Sequence, residues 1–117
     1  MITSIARLIE EATYEVEVAK AAIDKWTAKL LLNPSYEMSW SGDAFAQAAR
    51  HKVWKDLLEG AESVKDRDDA MNLIIKECQR NVTRGAMYPE RSTSPASNLM
   101  AQEITIAWAK ALKRFTN

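Results

Sequence analysis

From Ser4 to Leu32 the apolar positions Ile5, Ile9, Ala12, Val16, Ala19, Ile23, Trp26 and Leu30 recur in alternating steps of four and three. That is an unbroken a/d seam, the spacing of a helix packed lengthwise against partners. At about 1.5 Å per residue the stretch spans roughly 43 Å, longer than a compact domain of this size requires. Such a helix runs the length of a bundle or reaches into another subunit. Thr3 or Ser4 can cap its start, and Asn33-Pro34 ends it, because a residue before proline is driven out of the α region.

The remaining residues favour helix as well. The 117 residues contain three glycines and three prolines, and 47% are hydrophobic against 27% charged. These are ordinary proportions for one globular domain able to bury its own core. Cys78 is the single cysteine, so no internal disulfide can form. No apolar run approaches the 18 or so residues of a membrane span. The stretch Met1–Arg7 lacks the basic start and long apolar centre of a signal peptide, and the cytoplasm is the expected compartment.

Three further helices follow from pattern and punctuation. One is expected over 43–59, capped by Asp43 and stopped by Gly60, with Phe45, Ala49, Val53 or Trp54, Leu57 and Leu58 inward. The next is expected over 66–84, with Asp66, Asp68 and Asp69 at its start and Gly85 at its close. Its stripe is Met71, Ile74, Ile75, Cys78 and Val82, which makes Cys78 a structural thiol. Ser94-Pro95 reads as cap and first residue of a helix over 95–115. The fold class is therefore all-α: a single domain, 1–117, forming a four-helix, mostly antiparallel bundle whose first helix (4–32) is long.

Between the first two helices Tyr36, Met38 and Trp40 alternate with polar residues, which places three large apolar groups on one side of an extended segment. It reads either as a loop closing the end of the bundle or as an arm that anchors in a partner, since Tyr and Trp dominate interface energetics. Asn33-Pro34 could equally open a short helix. Tyr36, Met38 and Trp40 are the candidate partner-binding residues.

The chain is formally neutral, with 16 basic and 16 acidic side chains. No overall field draws nucleic acid, and the basic residues are too spread for a strong counterion-release effect. The C-terminal part, from Ala70 onward, nevertheless carries a net +4, seven basic groups against three acidic ones. Arg91, Ser92, Thr93 and Ser94 precede the amino end of the last helix, whose free amides favour an anion. Arg84 and Arg91 can bracket that turn and Tyr88 offers a stacking face. These residues are the candidate anion or nucleotide site.

Nothing in the spacing sets up a nucleophile and base, a metal-ligand set or a phosphate loop, so no cofactor and no metal are expected. Carboxylates do pair at helical spacing in Glu11/Glu15, Glu59/Glu62 and Asp66/Asp69, which can hold Mg²⁺. All-α nucleoside triphosphate pyrophosphohydrolases use such pairs on adjacent helices. Here Glu59-Gly-Ala-Glu62 straddles an expected helix stop, and Asp66/Asp69 sit where caps belong.

After Pro89-Glu-Arg-Ser92, the run Leu99-x3-Glu103-x4-Trp108-Ala-x-Ala111 resembles the helical hairpin domain of phage anti-CBASS and anti-Thoeris sponges, oligomeric proteins that sequester cyclic nucleotide signals. The resemblance covers residues 66–115. It implies that Arg91 and Ser92 contact phosphate and that Glu103 and Trp108 pack the hairpin. The turn is about two residues longer here and contains Pro95. It lacks the usual Arg-Glu-Arg-Ser run, and the first two helices have no counterpart.

Two readings stay open. One is a small non-catalytic helical interaction protein, a phage or mobile-element accessory or inhibitor that binds a protein partner or self-associates through the first helix. The other is an oligomeric sponge holding an anionic cyclic nucleotide at residues 88–94. The pyrophosphohydrolase ranks third.

Overall fold

The computed structural model describes residues 1–32, 37–87 and 94–116, with the side chains of all but 37–42. Every regular element among them is a helix: α1 (Ile5–Leu32), α2 (Glu37–Val64), α3 (Ala70–Met87) and α4 (Pro95–Leu112). The helices pack together as an all-α bundle. α1 lies mainly on α2, and α4 lies on both α2 and α3. α2 and α3 touch each other far less.

Local signals place most of the helix ends. Ser4 Oγ accepts the Arg7 amide at 3.2 Å and Ser94 Oγ accepts the Ser97 amide at 3.3 Å, each satisfying an orphan donor of a first turn. Pro95 occupies the first turn of α4, where its missing N–H costs nothing. At the far end of α4 the chain tightens, with the Arg114 and Phe115 amides donating to Ala111 and Leu112 three residues back. The helix thus stops at Leu112 rather than 115, and the turn folds Phe115 into the core, 5% exposed. The Ile2 amide donates to the Arg114 carbonyl at 2.7 Å, clasping the two ends of the chain.

α2 is longer than the expected 43–59, and residues 37–42 are helical rather than extended. Met38 and Trp40 therefore lie on the first turns of a helix. Gly42 and Gly60 stop nothing: a helical glycine costs only about 1 kcal/mol against alanine, and the turn beyond Gly60 buries Ala61 completely. α3 begins at Ala70, not 66. The Arg67 amide donates to Val64 and the Ala70 amide to Arg67, two successive tight turns. Arg67 grips the Asp69 carboxylate at 3.0 and 3.2 Å, and that hydrogen bond holds the Asp69 pKa below the usual carboxylate value.

α3 also continues through Gly85 to Met87, because Gly85 is where α3 meets α4. A Cβ there would overlap the Thr105 side chain, 2.7 Å from its Cγ2 and 2.9 Å from its Cβ. At Gly60 a Cβ would rest 3.5 Å from Ile74 Cδ1, an ordinary contact. Two alanine substitutions should therefore have opposite signs. Gly60→Ala should stabilise by about 0.5–1 kcal/mol through lower unfolded-state entropy, whereas Gly85→Ala should destabilise by about 1–3 kcal/mol through overpacking. Urea titrations of both variants check this, and Thr105→Ala, which removes Oγ1 and Cγ2 but keeps the Cβ at 2.9 Å, should restore only part of the Gly85→Ala loss.

One apolar cluster joins the four helices: Leu8 and Ala12 of α1, Val53, Trp54, Leu57 and Ala61 of α2, Ile74 and Cys78 of α3, and Trp108 and Ala111 of α4. Ile2 and Phe115 close it from the chain ends. The most buried line of α1 is Leu8, Ala12, Glu15, Ala19, one position round from the apolar seam. Only Ala12 and Ala19 of that seam are fully covered. The rotation brings the Glu15 carboxylate inward.

Candidate functional site

Glu15 is the buried charged residue of the described chain, 6% exposed. Its Oε2 accepts from Arg50 Nε of α2 at 2.5 Å, and its Oε1 accepts from Arg114 Nη1 at 3.3 Å. Arg114 Nη2 reaches Glu11 at 2.5 Å, and Arg7 Nε joins the same Glu11 at 3.0 Å. The Arg114 guanidinium also lies 5.2 Å from the Trp54 ring centroid, within cation–π range. Partial burial pulls the Arg114 pKa down, but the bonds to Glu11 and Glu15 outweigh it and the net shift is upward. This network locks α1, α2 and the C-terminal turn together. It is structural, since the Glu11/Glu15 pair is taken up by guanidiniums.

Cys78 sits fully buried on the stripe of α3. Desolvation, and then the neighbouring Glu77 charge, push its thiol up to about 12. At neutral pH it is a protonated, inaccessible thiol, not a nucleophile. Iodoacetamide should leave it unmodified in native buffer and label it only as denaturant unfolds the chain. Its linkage sign is equally definite. The unfolded thiol ionises near 9.0 and the folded one near 12, so its contribution is complete below pH 9 and is lost as the pH rises toward 12.

The concavity of interest opens where α2 and α3 diverge. It is a cleft of about 590 Å³ lined by residues of three helices. The helical periods explain the lining: Lys52, Asp56, Glu59, Gly60 and Ser63 share one side of α2, while Ile74, Glu77 and Asn81 follow at i, i+3 and i+7 on α3. Leu57, Ile74, Ile104 and Trp108 give it an apolar floor. Gly60, with no side chain, adds room to the α2 wall.

The rim is acidic. Asp56, Glu59 and Glu77 stand against one lysine, Lys52. Lys52 already bonds Asp56 at 2.9 Å, and Glu77 is held by Arg80 at 2.7 Å. Asn81 donates to the Glu77 carbonyl at 3.0 Å. The cleft thus combines a largely covered apolar floor with a hydrogen-bonding edge on which Glu59 adds one negative charge to the Lys52–Asp56 and Arg80–Glu77 pairs, the layout of a binding surface. Among the described residues no cluster of three or more His, Cys, Asp or Glu is placed to hold a metal ion.

Of the candidate residues read from the sequence, Arg84 and Ser94 have described side chains, and neither lines the cleft. Tyr36, Tyr88, Arg91, Ser92 and Thr93 fall outside the described residues. Met38 and Trp40 lie on α2, and their side chains are outside the description. Arg84 is exposed near the end of α3, and Ser94 serves as the cap of α4. The sequence reading missed the α2–α3–α4 cleft, because ending a helix at Gly60 breaks the face that joins Asp56 to Ser63. The signal was present in the four-, three- and four-residue steps of Lys52, Asp56, Glu59 and Ser63.

Among the described residues no helix is long and apolar enough to cross a membrane. No protein-family model, curated protein or solved structure matches the chain.

Proposed function

We propose that the chain is a non-catalytic interaction protein, an adaptor or inhibitor that receives an amphipathic helix of a partner protein in the α2–α3–α4 cleft. The observation that carries this reading is the combination of an apolar floor, in which half-buried Ile104 lies beside the edges of the core residues Leu57, Ile74 and Trp108, with a rim on which Glu59 joins the Lys52–Asp56 and Arg80–Glu77 pairs. A helix laid in a groove needs an apolar stripe to bury and polar flanks to match the rim. Here the rim selects lysine or arginine on those flanks. The same charge disfavours an anionic ligand at this place.

The probe is an 18-residue amphipathic peptide of leucine and lysine, with a leucine–glutamate twin as control. Calorimetry should show binding of the lysine peptide and none of the glutamate peptide. The double variant Glu59→Lys/Glu77→Lys should weaken the lysine peptide at least tenfold. Equal binding of both peptides, or an unchanged affinity in the double variant, would overturn the assignment.

A further inference from the structure

The core occupies only part of the two long helices. Full burial reaches Ala19 on α1 and begins at Ala49 on α2. From Ala19 to Leu32, α1 continues for roughly 20 Å at about 1.5 Å per residue, with the start of α2 beside it. α3 and α4, with 18 residues each against 28, do not supply a core there. Accordingly Ile23, Trp26 and Leu30 of the seam are only half buried. Leu31 and Leu32 are 81% and 87% exposed.

The whole-molecule surface is also larger than that of a compact monomer. A folded monomer of 13.2 kDa exposes about 6,400 Å² by the usual scaling with mass. This chain exposes 7733 Å², an excess of about 1,300 Å² over that scaling. A stable interface takes about 800 Å² from each partner, so one pairing would absorb much of the excess. The charges of this half are divided between the helices. Residues 20–32 carry Lys20, Lys25 and Lys29 against Asp24, a net +2, and residues 37–48 carry Glu37 and Asp43, a net −2.

We infer that the distal half of the α1–α2 hairpin is a self-association surface whose occupant is a second copy of this chain. The two hairpins overlap about a two-fold axis, the basic half of α1 in each copy lying on the acidic half of α2 in the other. The arrangement is isologous, so both contacts form at once. It completes a second, intermolecular four-helix core from Ile23, Trp26, Leu30 and their neighbours. This surface is separate from the cleft, which stays open in the dimer.

Sedimentation equilibrium on the full chain tests the inference. The expected mass is twice 13.2 kDa, with dissociation promoted by salt, since exposed charge pairs are screened. Leu31→Glu/Leu32→Glu changes side chains that the monomer leaves in water, so helicity should be retained while the dimer weakens at least tenfold. Lys25→Glu/Lys29→Glu should also weaken it, and adding Asp43→Lys should recover part of the loss. A monomer at several hundred micromolar, a larger assembly, or a dimer indifferent to all these variants would overturn it.

Discussion

Trp54→Ala should lower the unfolding free energy by about 3–5 kcal/mol, the range for a large aromatic removed from a packed core. Trp54 is 5% exposed and lies in the cluster with Leu8, Ala12 and Leu57. Its ring also carries the Arg114 guanidinium, so the substitution removes a cation–π contact worth about 0.5–1 kcal/mol together with the packing. Urea unfolding followed by far-ultraviolet circular dichroism measures the loss. Trp26, half buried on the distal part of α1, gives the contrast: Trp26→Ala should cost far less to the stability of the monomer. A loss under 1 kcal/mol for Trp54→Ala would mean that this part of the core is not formed as described.

Neutralising Glu15 should have the next largest effect. Breaking a fully buried ion pair typically costs about 3–5 kcal/mol, because the remaining charge is stranded. The guanidiniums of Arg50 and Arg114 keep partial access to water, at 32% and 42% exposed, and Arg114 retains Glu11. Glu15→Gln should therefore cost less, about 2 kcal/mol. Arg50→Met should cost less still, since Glu15 keeps its bond to Arg114. A double-mutant cycle over Glu15 and Arg50 should return a coupling of about 1–3 kcal/mol. Additive effects would show that the two residues do not interact in solution.

These two residues also show what was legible in the sequence. The class and the number of helices follow from apolar periods and from two serine caps, Ser4 and Ser94, that act through local hydrogen bonds. Such signals survive in a single chain because partner and donor are three residues apart. The inward turn of Glu15 is different in kind. Its cause is Arg50 and Arg114, 35 and 99 residues away, and no local pattern marks a glutamate for burial. The helix boundaries failed for a related reason. Gly60 and Gly85 look alike in sequence, yet one faces a cleft and the other touches Thr105. In both cases packing with another helix outweighs a local penalty of about 1 kcal/mol. The cleft was hidden by the same misreading of Gly60, while the aromatic and arginine-rich candidates were conspicuous by composition alone.

The cleft reading and the self-association reading make separable demands, because Leu57, Ile74, Ile104 and Trp108 belong to the first and Ile23, Leu31 and Leu32 to the second. Methyl and indole NMR of the full chain, titrated with the leucine–lysine peptide, tests the functional assignment most directly. The methyl signals of Leu57, Ile74 and Ile104 and the Trp108 indole should shift with one binding curve, while those of Leu31 and Leu32 stay in place. Shifts confined to Leu31 and Leu32, or no shifts at the four floor residues, would contradict a partner site between α2, α3 and α4.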